Sequence, residues 1–254
     1  MKLLAIGNLD EEFAFLERLP EVANTLRVDA ILFTGNILQA EARKLEWQRA
    51  HNEHRQPNLQ RPEILAEREN DAQSFRRFFA ILNQMNRPAF IVPGKHDAPE
   101  RFFLQAAFNR ESISPNIYMV HRSFAPLGRN FVVAGFGGEI TDQTRENEIF
   151  LMYPGWEAEF SLDFLRHLDQ DRILLFHTPP AEKFEPSAEE SGSDIISTLI
   201  KTFDPHIVVC SRESRQKGKM IIGNTLVVAP APLKEGYYAV IDTTERAVEF
   251  GDLR

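Results

Sequence analysis

The stretch Ala89-Phe90-Ile91-Val92-Pro93-Gly94-Lys95-His96-Asp97 joins a short apolar run to a turn that carries adjacent ionisable side chains. Four apolar residues bounded by a Pro-Gly turn are typical of a buried β-strand. The turn then presents His96 beside Asp97, a pair of residue types that can hold and transfer a proton. The stretch therefore predicts a strand whose carboxyl end carries a functional loop. The alternative for Asp97 is a simple helix N-cap.

The same arrangement of an apolar run followed by a small polar cluster occurs six times along the chain. The clusters lie at residues 7–10, 34–36, 93–97, 137–138, 177–180 and 210–214. In α/β sheets, ligands bind beyond the carboxyl ends of the strands, where loops converge on one crevice. We therefore expect these clusters to form one site, the alternative being that they are ordinary polar loops.

The order of the apolar and helical patterns predicts the fold class. Strands alternate with helical stretches at about 10–26, 38–56, 62–85 and 98–109, whereas the last third of the chain reads as antiparallel pairs. Gly223-Asn224 is a good hairpin turn between the strands at 220–222 and 225–228, and a second hairpin is expected at 237–250. This order predicts an α/β protein with at least one mixed sheet.

Composition limits the classes of partner. The 254 residues carry a formal net charge of -8, which argues against nucleic acid or an anionic membrane as the main partner. Cys210 is the single cysteine, so no internal disulfide forms, and no apolar run reaches the roughly 18 residues of a membrane helix. These features predict a soluble cytoplasmic protein.

The polar clusters resemble, in order and spacing, the motifs of calcineurin-like metallophosphoesterases. Asn8-Leu9-Asp10 stands where that family has Asp-x-His, Gly35-Asn36 where it has Gly-Asp, and Gly94-Lys95-His96-Asp97 where it has Gly-Asn-His-Asp. His177 stands at the lone histidine, and Ser211-Arg212-Glu213-Ser214 stands at Gly-His-x-His. The resemblance implies a four-layer α/β/β/α sandwich of two mixed sheets flanked by helices. It covers residues 1–254 as one domain, with 38–86 as a helical insertion or arm.

The family's chemistry uses two divalent cations that activate water and polarise the phosphoryl group, and this sequence departs from the family at most of their ligands. Two carboxylate positions are the amides Asn8 and Asn36, and Asp10 replaces a histidine. Lys95 and Arg212 occupy two further ligand positions. By resemblance, His177 remains as a metal ligand, His96 as the general acid, and Asp97 as the residue that orients it.

The substitutions favour an anion over a metal. An ammonium or guanidinium group cannot ligate a cation, and a unit-charge pair about 4 Å apart is worth about 4 kcal/mol at an effective dielectric of about 20. We therefore expect no metal cofactor, little or no hydrolase activity, and binding of a phosphate-containing small molecule. The expected contacts come from Lys95, Arg212, His177, Asn8 and Asn36.

Two alternatives stay open at the level of sequence. The first is an active phosphomonoesterase or phosphodiesterase that holds one divalent metal (Mn, Fe or Zn) on Asp10, Asn36 and His177. The second is an interaction or scaffold protein that works, or forms a homo-oligomer, through the helical arm at 38–86. Asp10 and Arg212 could also have structural roles only. Asp10 would then be a helix N-cap and Arg212 a member of a surface ion pair.

Overall fold

The computed structural model describes residues 1–113, 116–141, 148–184, 192–212 and 217–254, with the backbone alone for 107–113. Two six-stranded mixed sheets dominate this part of the chain. The first sheet has the order β14-β13-β1-β2-β3-β4, formed by Ala247–Asp252, Tyr237–Asp242, Lys2–Ile6, Ala30–Phe33, Ala89–Ile91 and Ile117–Met119. The second has the order β11-β12-β10-β9-β6-β5, formed by Gly218–Ile222, Thr225–Ala229, Ile207–Cys210, Asp171–Phe176, Phe131–Phe136 and Phe124–Leu127.

Helices and short elements complete the described fold. The helices are α1 (Phe13–Leu16), α2 (Leu19–Thr25), α3 (Glu41–Asn52), α4 (Pro62–Gln84), α5 (Glu100–Ile113), α6 (Gly155–Leu162) and α7 (Asp194–Phe203). Two 3₁₀ turns lie at Asp163–His167 and Leu233–Glu235, and a two-stranded sheet pairs β7 (Glu139–Ile140) with β8 (Met152–Tyr153). No helix formed by these residues is both long and apolar enough to cross a membrane.

Side-chain alternation along the strands produces the four layers. On β1, Leu3 and Ala5 belong to a core between the sheets that also contains Val133 and Val209 of the second sheet. Leu4 and Ile6 pack instead against the helices, because successive strand residues point to opposite faces. A third core lies between the second sheet and α6 and α7. The predicted α/β/β/α sandwich of two mixed sheets is confirmed.

Several local predictions change in detail. The helical stretch at 10–26 is divided into α1 and α2, since Pro20 suits only the first turn of a helix. Asp10 has φ 44° and precedes α1 by more than one residue, so it is not an N-cap. Asp97 likewise lies before the start of α5 at Glu100. Both predicted hairpins form, as β11–β12 and β13–β14.

The helical region at 38–86 contains α3 and α4, which are joined by buried ion pairs. The Arg43 guanidinium contacts Glu67 at 2.7 Å and Asp71 at 2.9 Å. α4 places Phe78 and Phe79 in the core against the first sheet. The aromatic residues of α4 are therefore used for packing within the chain.

Candidate functional site

The loops after β1, β2 and β3 are pressed together at the carboxyl ends of the strands. Leu9 N–H donates to Asn36 O at 2.8 Å, and His96 N–H donates to Asn36 Oδ1 at 3.0 Å. Gly35 has φ +97°, and a Cβ at this position would lie 2.3 Å from Gly94 N. Glycine is thus required here for the close approach that brings three of the predicted clusters into one site.

Asp97 holds these loops together through backbone hydrogen bonds. Its Oδ1 accepts from the N–H groups of Ile37 (2.8 Å) and Leu38 (3.0 Å), and its Oδ2 accepts from Gly94 N–H at 2.7 Å. Burial raises the pKa of Asp97 to about 7, although the three amides oppose that rise. The carboxylate oxygens are therefore directed at amides, and the expectation that Asp97 orients His96 is replaced by a role in positioning loops.

Asp10 lies next to the His96 imidazole. His96 Nδ1 lies 3.5 Å from Asp10 Oδ1, and Lys234 Nζ lies 2.7 Å from Asp10 Oδ2. Burial of Asp10 opposes its ionisation, but the hydrogen bonds and charges of His96 and Lys234 outweigh burial and lower its pKa. Asp10 is therefore an anion held between an imidazole and an ammonium group.

Lys234 reaches the site because the loop after β12 docks on the loop after β1. The N–H groups of Leu233 and Lys234 donate to the carbonyls of Gly7 (2.8 Å) and Asn8 (3.0 Å). Lys234 belongs to none of the six predicted polar clusters. The signal that could have found it is its position after the apolar strand at 225–229, which makes 230–236 a further strand-end loop.

His177 has its tautomer fixed by a backbone carbonyl. Its Nδ1 lies 2.8 Å from Thr34 O, which can only accept, so Nδ1 carries the proton. Burial lowers the pKa of His177 to about 4, so the ring is neutral near pH 7 and Nε2 keeps a lone pair. This nitrogen can accept a hydrogen bond or ligate a metal, whereas the predicted contact of His177 with an anion requires a donor.

The two cations predicted to replace the metals have other contacts. The Lys95 ammonium pairs with the Glu139 carboxylate and lies 5.5 Å from the centre of the Phe150 ring. The buried Arg212 guanidinium lies over the Phe184 ring, 5.0 Å from its centre. Asn8 Nδ2 donates to the Arg212 carbonyl at 2.9 Å, so Arg212 also belongs to the convergent loops.

A buried polar seam connects the two sheets beneath the site. Thr34 Oγ1 and Ser211 Oγ lie 2.8 Å apart, and Ser211 Oγ also lies 3.0 Å from Thr34 O, the carbonyl that fixes His177. The site therefore draws on strand-end loops from both sheets. Glu213 and Ser214 of the last motif lie outside the described residues.

The side chains described at the matched ligand positions do not fit the family's pair of divalent cations. Within the described ranges, no group of three or more His, Cys, Asp or Glu side chains is placed to hold a metal ion. Asp10 is the one carboxylate among the matched ligand positions, and its Oδ2 contacts an ammonium group. Asn8 Oδ1 is buried with no hydrogen-bond partner among the described atoms, which leaves one amide oxygen available to a ligand.

A cleft of about 390 Å³ opens beside His96. Its lining includes Lys44 and Trp47 of α3 together with Lys95, Glu139 and other residues. Such a volume suits a small molecule. The region at 38–86 thus supplies one wall of the cleft, and two lysine side chains face the same space.

Comparisons with known proteins agree with this architecture. A family model described as "Metallophosphoesterase, calcineurin superfamily" matches residues 1–253. One solved structure is 34% identical, has a TM-score of 0.90, and is matched over 100% of this chain and 99% of that chain. The protein TT1561 of Thermus thermophilus is 30% identical with a TM-score of 0.82, over 100% and 99% of the two chains.

A more distant likeness extends to the fold alone. A dimetal phosphatase from Danio rerio is 10% identical with a TM-score of 0.60, and the match covers 94% of this chain and 91% of that one. A comparison with curated proteins gave no match. The two-sheet sandwich is thus shared with a protein that is 10% identical in sequence.

Proposed function

Because this chain belongs to the calcineurin superfamily of metallophosphoesterases, we propose that it is a metal-independent member that binds a phosphate-type anion and has little or no hydrolase activity. The observation that carries this proposal is the contact of 2.7 Å between Lys234 Nζ and Asp10 Oδ2. A fixed ammonium group neutralises the carboxylate that a divalent ion would otherwise need. The site then has its cationic charge built into the chain.

The charges around the crevice favour an anion. Lys95 pairs with Glu139 and Lys234 pairs with Asp10, while the Arg212 guanidinium on a convergent loop lies over the Phe184 ring. The three cations thus outnumber these two carboxylates. An incoming phosphate can replace Glu139 at the Lys95 ammonium, since a doubly charged phosphate is the stronger partner for a point charge. Lys234 is partly exposed and can contact the same ligand.

The histidines and amides add hydrogen bonds of defined direction. His96 lies beside Asp10, and a ring N–H of His96 can donate to a phosphate oxygen. His177 Nε2 and Asn8 Oδ1 are acceptors, so they suit a hydroxyl group of the ligand rather than a phosphate oxygen. The ligand that matches this set is therefore a phosphate ester that also carries hydroxyl groups.

Titration calorimetry with inorganic phosphate and with a sugar phosphate tests the proposal. The Lys95→Ala, Arg212→Ala double variant should bind both at least roughly tenfold more weakly, since two charge-assisted contacts are lost. The matched control is Lys201→Ala, Lys219→Ala, which removes the same charge from exposed positions on α7 and β11. Equal affinity of the wild type and the site variant would overturn the anion site.

A second candidate is a phosphoesterase with a single metal on Asp10, Asn36 and His177. The Nε2 lone pair of His177 and the unpartnered Asn8 oxygen favour it, because both atoms could face a cation. Elemental analysis after growth with manganese, zinc and iron separates the candidates. Stoichiometric metal together with metal-dependent hydrolysis of a generic phosphodiester would establish the second and exclude the first.

A further inference from the structure

Two large aromatic side chains project from the surface of α6, on the side of the molecule formed by the second sheet's helices. Trp156 is 64% exposed and Phe160 is 79% exposed. They are four positions apart on one helix, so they share a face. The opposite face of α6 is buried through Ala158 and Leu162, which fixes the orientation of the helix.

These rings form the rim of a groove of about 800 Å³ between α6, the 3₁₀ turn at Asp163–His167 and α7. Phe164, Leu199 and Phe203 provide apolar walls in the groove. Contiguous exposed apolar surface of this kind marks interaction sites in soluble proteins. One patch therefore carries both projecting rings and an apolar recess that can receive rings.

The polar residues around the groove also have both signs of charge. Glu159 and Asp163 are acidic, whereas Arg166 and His167 follow on the next turn and are basic residue types. The Arg166 guanidinium contacts Asp163 at 2.7 Å within the chain. With His167 counted as neutral, as in the net charge of -8 for the chain, two acids and one arginine give the lining a formal charge of -1. Two copies would therefore meet with one unit charge each, a surface repulsion that salt screens.

We propose that this groove is the interface of a twofold homodimer, in which Trp156 and Phe160 of each copy pack into the groove of the other. A twofold interface brings one patch onto itself, so it must contain its own complement in shape and in charge. This patch presents both the projecting rings and a recess, and its single net charge is screened by salt at the surface. A surface that binds a different protein would need only the projecting rings or only the recess.

The exposed aromatic area is large enough to matter to a dimer. A fully buried Trp or Phe side chain covers about 150–250 Å², so each ring leaves on the order of 150 Å² uncovered. Two copies present four such rings, on the order of 600 Å² in total, about half of the roughly 1,200 Å² at the lower end of stable interfaces. The surrounding groove residues supply further area.

Sedimentation of the full chain tests the inference. The wild type should sediment with twice the chain mass of 29.1 kDa at about 50 μM, and Phe160→Glu should sediment as a monomer. The matched control is Ile221→Glu, which adds the same charge at an apolar residue that is 61% exposed on the edge strand β11. This control should remain a dimer.

Three results would overturn the dimer: a monomeric wild type at that concentration, a dimeric Phe160→Glu, or dissociation of both variants. Fluorescence gives an independent readout, because the chain has two tryptophans and Trp47→Phe leaves Trp156 alone. Its emission should shift to shorter wavelength as the protein concentration rises through the dimer range. An unchanged spectrum would place Trp156 in water at every concentration and refute the interface.

The inference does not depend on the proposed anion site. Phe160→Glu lies on α6, and every residue proposed to hold the anion lies on a strand-end loop. Phosphate titration of the monomeric variant therefore reports on the anion site alone. A failure of the dimer and a failure of the anion site would be seen in different experiments.

Discussion

Replacing Lys234 with methionine should allow the site to bind a divalent cation. Methionine keeps an apolar stem of similar length and removes the ammonium group that lies 2.7 Å from Asp10 Oδ2. Asp10, His177 Nε2 and Asn8 Oδ1 would then present acceptors without the fixed cation. We expect the variant to bind Mn²⁺ where the wild type does not.

The magnitude follows from the charges. A divalent ion and an ammonium group about 4 Å apart repel by about 8 kcal/mol at an effective dielectric of about 20. The Lys234 side chain is 41% exposed, so solvent screening reduces the effect several-fold. A remaining gain of about 1.5–2 kcal/mol corresponds to at least roughly tenfold tighter binding of the ion.

Isothermal titration with MnCl₂ measures this change, with Lys219→Met on β11 as a control of equal charge and similar volume. Circular dichroism checks that each variant is folded, and Lys234→Gln serves as a second test of the same charge removal. If both folded Lys234 variants bind Mn²⁺ no more tightly than the control, the ammonium group is not what excludes the cation.

Three further predictions concern the scaffold of the site. Asp97→Ala leaves three buried amides without an acceptor and should lower the free energy of unfolding by about 3 kcal/mol or more in urea titration. The exposed control Asp252→Ala should change it by less than about 1 kcal/mol, and equal effects would contradict the loop-positioning role. Gly35→Ala should lower the melting temperature more than Gly223→Ala, because both glycines have positive φ but only Gly35 has backbone within 2.3 Å of the added Cβ; the opposite ranking would refute the close approach. Burial lowers the pKa of His121 below its usual value of 6.5. Below about pH 6.5 the unfolded chain therefore binds a proton that the folded chain does not, and the free energy of unfolding decreases as the pH is lowered. The stability of His121→Gln should fall less than that of the wild type between about pH 7 and pH 5, and parallel curves would contradict this assignment.

The parts of the fold that could be predicted are those with a strong local pattern. The buried strands after which the polar clusters lie have continuous apolar runs, and Gly223-Asn224 has the turn chemistry of a hairpin. The two-residue strands β7 and β8 carry no such pattern in their own sequence. They are strands only because they pair with each other. α7 was also missed, although Ser193 caps its first turn.

The candidate site was predictable in location but not in its contacts. The loops converge as the strand-end rule requires, since the ends of parallel strands share one edge. Which side chains form ion pairs depends on contacts between segments that are distant in sequence, as between Asp10 and Lys234 or between Lys95 and Glu139. Asp97 illustrates the same limit, because its neighbour His96 is adjacent in sequence while its hydrogen-bond donors include two amides from the loop after β2.

The position of β1 in the first sheet has a consequence for how the protein forms during synthesis. β1 pairs on one side with β2, but on the other side with β13, where Lys2 lies opposite Asp242. The sheet that carries Asn8 and Asp10 therefore stays open at that edge until residues 237–252 have left the ribosome. Pairings so distant in sequence form slowly, and an unpaired strand edge invites association with other chains. Nascent chains should accordingly depend on chaperones until the final hairpin emerges, and ribosome-bound chains that stop before residue 237 should remain sensitive to protease around β1.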